Sequence, residues 1–163
     1  MNRKIQIELF EEHKFVNFYT IRFENEETEF EKYFNKFPEG CKFDDDINII
    51  IKWIDIIAEK SALERLFRYE GKFKDNVSAI PIETSKLRLY VLRISDGIII
   101  LGNGGVKDTK TYNENLLLNS YVYTLQEIDR QLKLRIKKNQ TQLYNNYLYG
   151  DLTFDIRFNN EKK

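Results

Sequence analysis

The stretch Lys86-Leu87-Arg88-Leu89-Tyr90-Val91-Leu92-Arg93-Ile94-Ser95-Asp96-Gly97-Ile98-Ile99-Ile100-Leu101 decides how this chain is read. Residues 87–95 are rich in aliphatic and β-branched side chains and read as a strand. Asp96-Gly97 is a two-residue hairpin signal. Residues 98–101 then begin a second strand that continues toward Val106. Gly102, Gly104 and Gly105 mark a bulge or bend in it. Upstream, residues 77–83 form a third strand, interrupted by Thr84-Ser85. Tight turns join antiparallel neighbours, so the three make a meander.

Working outward, Ile5, Ile7 and Leu9 alternate with Gln6 and Glu8, the period of a half-buried strand. The charged tetrad at 11–14 breaks the pattern, and residues 15–23 read as a second strand paired with the first. The period then changes: Phe30, Tyr33, Phe34 and Phe37 fall at i, i+3, i+4 and i+7 of an amphipathic helix. Glu26, Glu27 and Glu29 are placed in its first turn, where the helix dipole favours them. Pro38-Glu39-Gly40 stops it. Asp44, Asp45 and Asp46 offer N-caps to a second helix, striped by Ile47, Ile50, Ile51, Ile54 and Ile57 and expected to run to about Phe67. After the meander, residues 113–138 read as a long helix with Leu117, Tyr121, Leu125, Ile128, Leu132 and Ile136 on one face. Leu152, Phe154, Ile156 and Phe158 alternate as a final strand. The expected fold is α+β: an antiparallel sheet whose three-strand meander packs on two N-terminal helices, plus a long C-terminal helix and a terminal strand.

At 163 residues, with 42% hydrophobic and 14% aromatic side chains, the chain is long enough for one domain with a continuous core and is not disordered. The 26 basic and 26 acidic residues cancel, so net charge singles out no polyanionic partner. Their distribution is uneven. Residues 22–46 are mostly acidic, whereas Arg130, Lys133, Arg135, Lys137 and Lys138 form a run without acids. Cys41 is the only cysteine, which suits a reducing compartment. His13, the only histidine, cannot build a metal site unless carboxylates supply the rest. The first residues lack a signal-peptide h-region, and no apolar run approaches a bilayer span. The expectation is a cytoplasmic protein with no metal, cofactor or membrane segment.

The glycine cluster Gly102-Asn103-Gly104-Gly105-Val106-Lys107 lacks the spacing, the following Ser or Thr, and the helix of a phosphate-binding loop. A strand bulge is its plainer reading. What remains is a set of cations and hydroxyls. Arg65, Arg68, Lys72 and Lys74 precede the meander, and Arg88 and Tyr90 share a face of its second strand. Lys107, Lys110 and Tyr112 follow its third. In an antiparallel meander the start of the second strand and the end of the third lie together, so Arg88, Lys107 and Lys110 can converge. The residues alone leave open a solvated sheet face with snorkelling stems.

The quoted run, followed by Gly105-Val106-Lys107-Asp108-Thr109-Lys110-Thr111, resembles the RelE/HigB superfamily of bacterial toxins. An arginine early in a central strand with an aromatic residue soon after, a turn, an apolar strand, a Lys- and Thr-containing segment and then a helix carry the likeness. The order before it, a strand, two helices and the Leu-rich approach Ala62-Leu63-Glu64-Arg65-Leu66-Phe67, fits as well. The resemblance covers roughly residues 18–133 of a single domain spanning 1–163, with 1–14 and 139–163 as additions. It implies a metal-independent mRNA endoribonuclease of a toxin–antitoxin pair, of a kind that usually acts on the ribosome, held inactive by a small helix-turn-helix antitoxin. It further implies that Arg88 stabilises the phosphorane, that Lys107 or Lys110 holds the scissile phosphate, and that Tyr112 positions a hydroxyl or leaving oxygen. Arg65, Arg68, Lys72, Lys74 and Tyr90 would contact RNA. The alternative is a catalytically inactive module of the same fold that binds protein, with the terminal strand as an edge for another chain.

Overall fold

The computed structural model describes residues 1–69, 76–80, 86–107 and 112–158. Among the described residues nine strands and three α-helices follow in the order β1 (Asn2–Glu12), β2 (Asn17–Phe23), α1 (Glu29–Asn35), α2 (Asp44–Lys60), β3 (Arg68–Tyr69), β4 (Val77–Ile80), β5 (Leu87–Ser95), β6 (Ile98–Val106), α3 (Tyr112–Lys137), β7 (Thr141–Tyr144), β8 (Tyr147–Gly150) and β9 (Thr153–Arg157). A single 3-10 turn, Glu64–Leu66, separates α2 from β3. Among the described residues no helix is long and apolar enough to cross a membrane.

The sheet is mixed, which overturns the expected antiparallel layout. Its seven strands run β3-β4-β5-β6-β2-β1-β9, and β2 lies parallel to β6 from Asn17↔Ile98 to Thr20↔Leu101. The reason lies in the connection. Two helices carry the chain away from β2, so it can return beside β2 in the same direction, as a tight turn could not allow. The helices are not all N-terminal either, and they cover both faces. Phe30, Tyr33 and Phe37 of α1 and Ile47, Ile50 and Ile57 of α2 pack on Leu87, Leu89, Val91, Ile99 and Leu101. Leu118, Leu125, Ile128 and Leu132 of α3 pack on Tyr90, Leu92, Ile98, Ile100, Ile7 and Ile21. Successive residues of β6 therefore enter opposite cores, which explains the unbroken apolar run at 98–101. β1 pairs with β2, as its pattern led one to expect, and has β9 on its other side.

Local chemistry sets the ends of these elements. Thr28 caps α1, and Glu31 reaches back to the Thr28 N–H, a capping box that places Glu26 and Glu27 before the helix. The aspartates occupy the first turn of α2, but its N-cap is Phe43, without a side-chain cap. α2 stops at Lys60 instead of running to Phe67. Ser61 turns to φ 75, and the next N–H, of Ala62, bonds to Asp96 O at 2.7 Å. On α3 it is Leu118, not Leu117, that enters the core. β7 and β8, which no periodicity announced, form a separate two-stranded ribbon turned by Asn145 and Asn146, both at positive φ.

Candidate functional site

β2 and β6 pair over four residues and then part. Past Leu101, β6 bulges: Leu89↔Gly104 and Val91↔Leu101 leave Gly102 and Asn103 facing Tyr90 alone. The glycine cluster is thus a strand bulge. α1 packs against both strands at the opening. Crevices outside the carboxyl ends of diverging strands are where open α/β sheets place ligands.

Glu29, Tyr33 and Lys36 recur at i, i+4 and i+7 along the inner side of α1. The Asn103 amide, buried in the bulge, donates to Glu29 Oε1 at 3.3 Å. Its Oδ1 accepts from the Gly104 N–H at 2.7 Å and from Lys36 Nζ at 2.9 Å. Lys36 Nζ also donates to Gly104 O and to the Tyr121 hydroxyl, both at 2.8 Å. Lys36 is exposed as a residue, but burial around its ammonium, with Lys32 adding to it, pulls the pKa down to about 8; Glu29 acts in the opposite direction. Burial, aided by Glu29, pushes Tyr121 up to about 12. Lys32 bridges Glu29, at 2.8 Å, and Glu26, which Arg3 also binds.

Two cavities flank this cluster. An apolar one of about 230 Å³ is lined by Lys36, Phe37, Gly104, Gly105, Val106, Leu117 and Leu118. A second of about 230 Å³, with mixed polar and apolar walls, lies toward Arg3, Glu29, Lys32, Asn103 and Tyr121.

The predicted site residues divide. Arg88 pairs with Gly105 across the ladder, and the Lys107 N–H bonds to Lys86 O, so both stand at the end of the sheet where the apolar cavity opens. Arg88 is half-buried, with Nη1 donating to Leu87 O at 3.0 Å, and Lys107 is exposed. Arg88 also lies close enough to Tyr33 to act on its phenol. Burial drives the Tyr33 pKa far above the ordinary phenol range, Asp46 and Tyr90 add to this, and Arg88 opposes it. Among the described residues the Tyr33 hydroxyl has no hydrogen-bond partner. Tyr90 is 2% exposed and packs in the core beneath α3, so it offers no ring to solvent. Arg65 is exposed in the 3-10 turn, three residues after Ala62, whose N–H bonds to Asp96 O at the opposite end of β5. Arg68 is in β3 and Tyr112 opens α3. Lys72, Lys74 and Lys110 lie outside the described residues.

Sequence reasoning missed Lys36, Asn103 and Tyr121. The only available signal was the spacing of Glu29, Tyr33 and Lys36, which marks a polar stripe facing inward beside the aromatic one.

The terminal strand bears on the alternative reading. β9 is an edge of the sheet, and its Asp155 and Arg157 carbonyls, on the side away from β1, are already occupied. Gln131 Nε2 donates to Asp155 O at 2.9 Å and the Tyr123 hydroxyl to Arg157 O at 2.6 Å. Asp151 Oδ1 takes the Thr153 N–H at 3.1 Å. Side chains of α3 thus blunt the edge that an added strand would need. The chain matches no protein-family model, no curated protein and no solved structure.

Proposed function

We propose that the chain is a toxin-like, metal-independent mRNA endoribonuclease of a toxin–antitoxin pair, working at the end of the sheet where β5 begins and β6 ends. The observation that carries the proposal is that Arg88, opposite Gly105, and Lys107, bonded through its N–H to Lys86 O, stand at the strand end whose Gly104, Gly105 and Val106 line a cavity with Lys36. Metal-free RNA cleavage needs a base for the 2′-hydroxyl, positive charge for the phosphorane and an acid for the 5′-oxygen. Arg88 supplies the charge, and Lys107 or Lys110 holds the phosphate. Lys36, held at about 8, exchanges a proton near neutral pH. Tyr112 positions the hydroxyl or the leaving oxygen.

Growth and bulk translation in a bacterial host, after induction of the wild type and of Arg88→Ala, test this reading. Arrest by the wild type, relieved by Arg88→Ala at equal protein level, is expected. Cleavage by the variant should be about 100- to 1,000-fold slower, the usual loss for one charge-stabilising donor. A folded wild type that arrests neither growth nor translation overturns the proposal, and the sealed β9 edge then directs the search to partners on other surfaces.

A further inference from the structure

The ribbon of β7 and β8 presents an aromatic face that the open end of the sheet does not use. Its register is Gln142↔Tyr149 and Tyr144↔Tyr147. Directly opposed residues share a face, so Tyr144, Tyr147 and Tyr149 stand together on one side. Thr141 and Leu148, on the other, are buried. Tyr144 is 66% exposed and Tyr149 is 48% exposed. The Tyr147 and Tyr149 rings lie 6.2 Å apart.

A lone two-stranded ribbon is marginal in water, and this one is pinned at both ends. Asn17 Nδ2 donates to Asn146 O at 2.7 Å, and the Leu148 N–H donates to the Tyr19 hydroxyl at 2.8 Å. Thr141 Oγ donates to Asp151 O at 2.7 Å, and the Tyr147 hydroxyl bonds Glu12. The backbone that carries the tyrosines is therefore held in place, which lowers the ordering cost of binding. Lys137 and Lys138, both exposed, close α3 just before β7. The acids beside the ribbon are engaged: Glu12 by Tyr147, and Asp151 by Arg135 at 3.3 Å.

We propose that this face is a stacking platform for single-stranded RNA, with bases on Tyr144 and Tyr149 and phosphates on Lys137 and Lys138. The inference rests on the nuclease reading and extends it. Asn146 sits against Gly97, at the far end of β5 from Arg88. The nine residues of β5, at about 3.3 Å each, put the platform roughly 30 Å from the reacting end. It grips RNA flanking the cleaved bond.

The test measures binding of a fluorescein-labelled single-stranded oligouridine of about 16 nucleotides, by anisotropy, with every variant built on Arg88→Ala so that the probe survives. Tyr144→Ala and Tyr149→Ala should each weaken binding about tenfold, the scale of one lost base–aromatic stack. The Phe variants should retain affinity, because the ring is what stacks. Tyr144→Thr, which keeps strand propensity, should behave like Ala and guards against a ribbon that has lost its fold. Replacing Lys137 or Lys138 by Gln should flatten the salt dependence by about 0.7 in log–log slope each. Ala and Thr variants that bind as tightly as their parent overturn the platform and leave the nuclease reading intact. So does unchanged RNA binding with a lower oligomeric state, which would make the face a protein contact. A parent that binds no RNA overturns the platform, and the growth-arrest assay then judges the nuclease reading separately.

Discussion

Where β5 turns into β6, the Asp96 and Gly97 carbonyls both have partners, whereas at the other end of the same two strands the sheet splits and encloses space. At the turn, Asn17 N–H bonds to Gly97 O at 2.8 Å, Ala62 N–H to Asp96 O at 2.7 Å and Arg93 Nε to Ala62 O at 2.6 Å. Asn146 of the last ribbon closes over Gly97. At the split, β6 leaves β2, bulges at Gly102–Asn103 and is tied to α3 by Lys36, the residue that caps α1. One end gains stability from local bonds. The other holds charge beside cavities, as a site for chemistry requires.

Glycine substitutions break this comparison most sharply. A Cβ on Gly104 would stand 1.9 Å from Arg88 O, a backbone atom that cannot swing away, whereas the nearest atoms to one on Gly97 belong to the Asn146 side chain. Gly104→Ala is expected to cost about 3 kcal/mol, the upper range for overpacking, because the two strands must separate. Gly97→Ala should cost about 1 kcal/mol, the scale of a displaced contact. Urea unfolding of both variants decides it, and equal losses would show that the two ends are equally yielding.

Lys36 gives the second test. Below pH 8 the folded and unfolded states both hold its proton, and the unfavourable enclosure of the ammonium is fully present. Between about 8 and 10.5 the folded state releases the proton first, the unfolded chain binds more protons, and stability rises with pH. Tyr121, raised to about 12 from 10.0, acts in the opposite sense only above pH 10. The wild type should therefore gain stability relative to Lys36→Met between pH 7 and 9.5, read as urea midpoints. A constant difference would mean that Asn103, Gly104 and Tyr121 hold the ammonium charged throughout.

The smallest effect is at the β9 edge. Tyr123→Phe and Gln131→Ala each remove one hydrogen bond to an edge carbonyl, at a cost of about 0.5–1 kcal/mol. The double variant should self-associate in sedimentation where the wild type does not, because it frees acceptors for a second chain. An unchanged molecular mass would show that the edge needs no such cover.

Much of the local structure was legible. The strand at 87–95 and the Asp96-Gly97 turn carry their own chemistry, and α3 was placed to within a residue at each end. The glycine bulge was legible too, since the spacing, the missing Ser or Thr and the missing helix together spoke against a phosphate loop. The β7–β8 ribbon was missed because four-residue strands leave too short a period, although Asn145-Asn146 is a turn signal. Of the candidate site, Arg88 and Lys107 could be brought together by meander register alone. Lys36 could not, because its partners Asn103 and Tyr121 lie 67 and 85 residues away.

By itself the sequence determined what depends on neighbours along the chain: strand and helix periods, the Asp96-Gly97 reversal, the lone cysteine and histidine, and the balance of charge. Only the tertiary structure decided the parallel pairing of β2 with β6, the helices on both faces and the internal place of β1. Pairing partners are chosen by which apolar faces can be buried together across long loops, and an alternating pattern is the same whichever strand lies beside it. The same holds for Glu29. A glutamate in the first turn of a helix reads as a solvated dipole partner, until the fold places a buried asparagine opposite it.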